Sequence, residues 1–180
     1  MRKFVFTQLV ILATVAASLA AQTATKKGPA ATPAAAQTPA NLLQLMRGIL
    51  YPASNVIFAA QSDEFGKIKP AKDPSTATDP LMSTYGGWQA VENAALALVE
   101  GANLLTLPGR KCANGIDVPL RNPDWAKFVQ GLREAGMKTY KAAQAKNQDN
   151  ILDAAEAMTT ACANCHDKWR EKPNLADRCK

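Results

Sequence analysis

The chain has 180 residues, of which 47% are hydrophobic and 20% charged, with a formal net charge of +6, four cysteines and one histidine. Its basic residues, among them Lys67, Lys69, Lys72, Arg110, Lys111, Lys168, Arg170 and Lys172, are dispersed and interleaved with acids. That distribution describes a solvated surface and argues against nucleic acid as a partner.

The first element in chain order is a leader. Arg2 and Lys3 precede an apolar run from Phe4 to about Leu19 that ends in the small-residue site Ser18-Leu19-Ala20. This pattern predicts a cleaved secretory signal peptide over residues 1–20 and a periplasmic mature protein. The run is shorter and more Ala-rich than the ~20 strongly apolar residues of a membrane-spanning helix, so no stable membrane span is expected. Loss of Arg2 and Lys3 with the leader lowers the formal net charge from +6 to +4. Residues 21–38 are mostly Ala, Pro, Thr and Gln with two lysines, a disordered linker that cannot bury a core. The rest, 39–180, is of normal size for one domain with its own core.

Four segments of that domain carry helical periodicity, and none sustains strand alternation. The first runs from about Pro39 to Gln61, with Leu42, Leu45, Met46, Ile49, Val56 and Ala60 at three- and four-residue spacing. Thr38 and Pro39 supply its cap and first position, and Pro52 is expected to kink or interrupt it. After the long connection Ser62 to Thr84, the second helix spans about Tyr85 to Leu107, with Trp88, Val91, Ala95, Val99, Ala102 and Leu105 as its stripe. Pro108-Gly109 stops it. Beyond the segment Gly109 to Arg121, Asn122-Pro123-Asp124 opens the third helix, whose apolar face of Trp125, Phe128, Val129, Leu132 and Ala135 continues to about Ala145. The fourth runs from Asn147–Asp149 to about Glu171, with Ile151, Ala155, Met158, Cys162, Cys165 and Trp169 at core spacing. Four such helices predict an all-α fold, an antiparallel four-helix bundle.

The most informative residues are Cys162-Ala163-Asn164-Cys165-His166, because C-x-x-C-H is the attachment signature of a c-type haem. In that chemistry both thiols bond the haem vinyl groups as thioethers, and the imidazole ligates the iron. His166 is the only histidine in the chain. The plainer readings are a dithiol redox pair, which belongs at a helix start after a strand and finds no βαβ pattern here, and a zinc site, which lacks a fourth ligand. Cys162, Cys165 and His166 stand at i, i+3 and i+4 and therefore share one helix face. The expected cofactor is one covalent haem c, held by Cys162 and Cys165 against the inner side of the last helix with His166 as an axial iron ligand.

The run Cys162-Ala163-Asn164-Cys165-His166-Asp167-Lys168-Trp169-Arg170, on the last of four helices, resembles that of class II c-type cytochromes, the family of cytochrome c prime and the low-spin cytochromes c-556. The resemblance is specific in the last helix and architectural elsewhere. It implies a role for Arg170 in compensating charge near the haem edge, against which stands a plain surface arginine at a helix C-terminus. It also implies that a distal methionine comes from the first helix, where Met46 lies in Leu45-Met46-Arg47. The competing role for Met46 is a core gap-filler. Met1 leaves with the leader, Met82 lies in a loop, and Met137 flanks the third helix's stripe. Met158 is ~12 Å from His166 along the same helix and cannot reach across the ring. Leu42, Leu43, Ile49, Phe58 and Trp88 are candidate pocket walls.

Cys112 and Cys179 remain. In an exported protein such a pair often forms a disulfide, here closing a loop of more than sixty residues, worth on the order of 4 kcal/mol in the chain-entropy model; the alternative is two free thiols. The expected function is a non-enzymatic, six-coordinate His166/Met46 single-electron carrier serving redox partner proteins. A five-coordinate protein that binds nitric oxide or carbon monoxide is the second expectation, and a peroxidase, which needs a distal base, the third. The family resemblance also admits a homodimer through the first two helices.

Overall fold

Each helix begins where a short polar side chain or a glycine precedes an apolar face. The computed structural model describes residues 38–179 apart from 63, 64, 74, 76–78 and 83. The expected signal peptide, residues 1–20, and all of the expected linker except Thr38 lie outside the described residues. The first helix, α1, starts at a capping box: the Asn41 side chain accepts from the Gln44 N–H, and the Gln44 side chain accepts from the Asn41 N–H, both at 2.9 Å. This reciprocal pair, rather than Thr38 and Pro39, sets the helix start. α1 runs as Leu42–Leu45, passes through a π-helical turn over Met46–Leu50, and resumes as Tyr51–Ala59. The interruption expected at Pro52 is this turn, in which the Tyr51 N–H bonds the Met46 carbonyl. A widened turn ahead of a proline relieves the clash of its ring with the preceding turn of carbonyls.

α2 spans Gly87–Leu104. α3 spans Pro123–Gln144, capped by Asn122, whose side chain accepts from the Asp124 N–H at 3.0 Å. α4 spans Gln148–Trp169, capped by Asn147 on the Asn150 N–H at 2.9 Å. Among the described residues the fold is all-α, with isolated β-bridges at Met82–Gly86 and Lys111–Asp117 and no strand. α1 packs on α2, α2 on α3 and α3 on α4, and the Tyr51–Ala59 part of α1 also meets α4. α2 and α3 approach closely at Gly136, where a Cβ would lie 2.7 Å from Val99 Cγ2 and 3.3 Å from the Ala95 carbonyl oxygen. No helix among the described residues is long and apolar enough to cross a membrane.

The interior divides into two clusters. The larger gathers Leu45, Leu50, Ile57, Leu98, Trp125, Val129 and Met158. The smaller gathers Phe65, Leu81, Val91, Ala143 and Ile151, with Trp88 against it. Phe65 and Leu81 come from the long connection between α1 and α2, so that segment contributes core as well as length.

The end of the molecule where α1 begins and α4 finishes is tied by several bonds. The Leu42 N–H donates to the Lys111 carbonyl at 2.8 Å, and the Cys179 N–H donates to the Trp169 carbonyl at 2.9 Å. Cys112 and Cys179 form a disulfide, with their Cα atoms 5.0 Å apart. Asn114 Nδ2 donates to the carbonyls of Ala176 and Arg178, holding the C-terminal segment on the α2–α3 connection. Arg110 is buried there without a carboxylate partner; its Nε donates to the Leu104 carbonyl and its Nη1 to the Ala40 carbonyl. Burial lowers its pKa, yet a guanidinium stays charged and sits at the negative end of α2. Trp125 Nε1 donates to the neighbouring Leu105 carbonyl at 3.0 Å, so two orphan carbonyls of the helix end are satisfied by side chains.

Arg110→Met keeps most of the side-chain volume and removes both donors. Hydrogen bonds from charged groups are worth ~1.5–3 kcal/mol. The unfolding free energy should fall by about that amount, read as a lower urea midpoint at an unchanged slope; an unchanged midpoint would show that Arg110 does not hold this end together.

Candidate functional site

The inner face of α4 changes character along its length. Ile151, Ala154, Ala155 and Met158 are packed to 1% exposure or less. One turn after Met158, Cys162, Cys165 and His166 are only partly buried and line a cavity of about 410 Å³. That volume falls among cofactor and ligand clefts of ~300–1,000 Å³.

The facing wall comes from α1. Leu42, Met46, Leu50 and Ser54 line the cavity, as do Leu43, Arg47 and Tyr51. These are two rows at a spacing of four residues. In an unbroken α-helix of 3.6 residues per turn, residues four apart drift by ~40° per step, and such rows would wind away from one face. The π turn over Met46–Leu50 takes up the drift, since it holds more than four residues per turn. Leu98 from α2, and Phe128 and Leu132 from α3, complete the walls, with Leu105 beyond the end of α2.

Met46 therefore shares a cavity with the C-x-x-C-H residues. Of the other methionines, Met158 is fully buried in the core, and neither Met82 nor Met137 lines the cavity. Of the expected walls, Leu42 and Leu43 are present and three are not. Ile49 lies within the π turn and is 38% exposed. Phe58 packs against the larger core cluster outside the cavity. Trp88 stacks edge-to-face on Phe65, ring centroids 4.4 Å apart, in the other cluster. Cys179 lines the cavity as well, so the disulfide bounds the site besides closing a loop.

The chemistry of the three α4 residues follows from their burial. Desolvation raises the pKa of both thiols; for Cys165, with Cys162 adding to it, the value rises to about 11. Reactive dithiols have depressed pKa values at helix N-termini, whereas this pair occupies the C-terminal part of α4 in apolar surroundings. The dithiol redox reading is therefore disfavoured. Burial, helped by the Arg170 charge, lowers the His166 pKa, which favours the neutral imidazole that ligates metals. Among the described residues neither His166 ring nitrogen takes part in a hydrogen bond, and no group of three or more His, Cys, Asp or Glu is gathered to hold a bare metal ion.

Charge lies at the rim. Arg170 lines the cavity and pairs with Glu171, both half exposed, an arrangement worth little to stability. Arg47 is exposed, and Lys168 pairs with Asp124. Trp169, also in the lining, packs edge-to-face on Trp125 with centroids 6.1 Å apart and lies under the Lys172 ammonium at 5.0 Å.

With both thiols unmodified, alkylation of Cys165 by iodoacetamide should be slow at pH 7–8 and accelerate only as pH approaches its value of about 11. A pKa that high leaves roughly a few-hundredfold less thiolate at neutral pH than a free cysteine of pKa ~8.5 has. Rapid alkylation at pH 7 would restore the dithiol reading. No family model, curated protein or solved structure matches this chain, so what the cavity receives follows from its own lining.

Proposed function

We propose that this chain is an exported c-type cytochrome of the class II kind, an antiparallel four-helix bundle that carries single electrons between partner proteins in the periplasm. One observation carries the proposal: the C-x-x-C-H residues of α4 and Met46 of α1 line the same apolar cavity. Haem fits this donor set. Two thiols and a neutral imidazole on one helix face match two vinyl tethers and one axial bond, and no second pair of cysteines is needed. Once bound, haem supplies an iron that exchanges one electron.

The chain's own residues would do the rest. Cys162 and Cys165 fix the cofactor at two points, and His166 offers its lone pair from the same face. Met46 would offer a thioether sulfur from α1 as a second ligand to the iron. Leu42, Leu50, Leu98 and Leu132 keep water from the site, and burial of this kind is one of the factors that set the potential. Tyr51, 64% exposed, and Arg47 form a cavity edge within reach of a partner. A peroxidase requires a distal base, and with no second histidine in the chain that base would have to be a carboxylate; none is among the lining residues.

The purified protein should show a low-spin ferric spectrum, and Met46→Ala should convert it to high spin and admit carbon monoxide on reduction. Absorption and electron paramagnetic resonance spectra read both changes. A high-spin signal with ready carbon monoxide binding in the unmutated protein would replace the carrier with a five-coordinate gas binder. A low-spin spectrum unchanged in Met46→Ala would remove Met46 as the ligand.

A further inference from the structure

The start of α1 and the finish of α4 are joined by a short circuit of bonds. The Leu42 N–H donates to the Lys111 carbonyl at 2.8 Å, and Cys112 follows Lys111 in the chain. The Cys112–Cys179 disulfide crosses to the C-terminal segment, where the Cys179 N–H donates to the Trp169 carbonyl at 2.9 Å. The connecting loop is itself braced: the Cys112 N–H donates to the Ile116 carbonyl at 2.9 Å, and Lys111 forms a β-bridge with Asp117. Arg110 adds a second hold on the approach to α1 through the Ala40 carbonyl. Both cysteines of the pair are buried, and Cys179 lines the cavity.

The helix ends so joined are those that carry the facing donors. Met46 stands four residues, about one turn, after Leu42, and His166 stands three residues before Trp169. α1 packs on α4 through its Tyr51–Ala59 part, whereas at Met46 and His166 both helices line the cavity instead. Their separation across the cavity is therefore held from two sides, by helix packing beyond Tyr51 and by the disulfide circuit at the other end. A methionine side chain has three rotatable bonds and no charge, so the position of its sulfur depends on how firmly its backbone is held. Sites of this kind need their groups placed to within about 0.5 Å by what supports them.

On the reading of Met46 as second iron ligand, which this inference requires, that support has a functional consequence. We propose that the Cys112–Cys179 disulfide is a positioning clamp for Met46: by fixing the start of α1 on the finish of α4, it keeps the thioether within reach of the iron and so selects electron carrying over gas binding. With the circuit cut, that end of the cavity loosens, Met46 withdraws, and the second axial position opens to a diatomic gas. The pair thus does more than stabilise the fold. It couples a covalent bond outside the ligand set to the coordination of the cofactor.

The test uses the full chain with its covalent haem and breaks the circuit at two separate places. Cys112→Ala together with Cys179→Ala removes the disulfide. Leu42→Pro removes the donor to Lys111 at the first helical position, where proline fits and where the extended Asn41 before it, at φ −72° and ψ 174°, suits it. Leu42→Ala, which keeps the N–H, is its reference. Both breaks should add a high-spin signal to the ferric electron paramagnetic resonance spectrum and raise the carbon monoxide affinity of the ferrous protein about tenfold, within the ~5–150-fold range of couplings between sites. Val91→Ala, in the smaller core cluster, lowers stability without touching the circuit and should change neither. Unchanged spectra and carbon monoxide affinity in the disulfide variant with haem attached, or an equal change in Val91→Ala, would overturn the inference and leave the haem reading standing. If the disulfide variant does not fold, Leu42→Pro read against Leu42→Ala decides alone. A high-spin spectrum in the unmutated protein would overturn the Met46 reading itself, and this inference with it.

Discussion

Everything at this site depends on the helical spacing of Cys162, Cys165 and His166. Residues at i, i+3 and i+4 lie on one face, and in an amphipathic helix that face is the inner one. Two thiols and an imidazole therefore point where a leucine or methionine would otherwise pack. Up to Met158 the interior is filled side chain to side chain; from Cys162 onward it opens into the cavity. The same helix has one half packed as core and the other lining a cavity.

The surroundings are arranged around that opening. α1 is kept facing it over three turns by the π turn at Met46–Leu50, a feature that often marks functional positions in helices. At the end where the cavity weakens helix-to-helix packing, other ties take over: the Cys112–Cys179 disulfide, the buried Arg110 guanidinium on the Leu104 and Ala40 carbonyls, and the Asn114 amide on the C-terminal segment. Cohesion lost to the site is thus replaced nearby by covalent and polar links, whose directionality fixes α1 against α4.

Much of this was legible in the sequence where the signal is local. Asn122-Pro123-Asp124 and Asn147 announce the starts of α3 and α4, because capping depends on residues within one turn. The C-x-x-C-H face follows from spacing alone. α1 starts later than its sequence suggests, because Thr38-Pro39 offers one favourable cap whereas Asn41 and Gln44 satisfy two donors together. Pro52 foretold an interruption without its form. Pocket walls were the least legible part: Trp88 is on the apolar stripe of α2, but its partner Phe65 comes from a connection with no periodic signal. Ile49 follows helical spacing only in an unbroken helix, and the π turn displaces it to the surface. Cys179 could be foreseen as a disulfide partner but not as a cavity wall, since that depends on how the C-terminal segment folds back.

The central claim is that α4 holds a haem by two thioether bonds, and the intact mass of the chain tests it most directly. The full sequence would be produced in a bacterial host able to attach c-type haem outside the cytoplasm, and the denatured protein weighed. The account predicts the mass of the polypeptide plus one haem, with the added mass lost in a Cys162→Ala, Cys165→Ala double variant. A denatured mass equal to the bare polypeptide, with Cys162 and Cys165 open to alkylation, would contradict it.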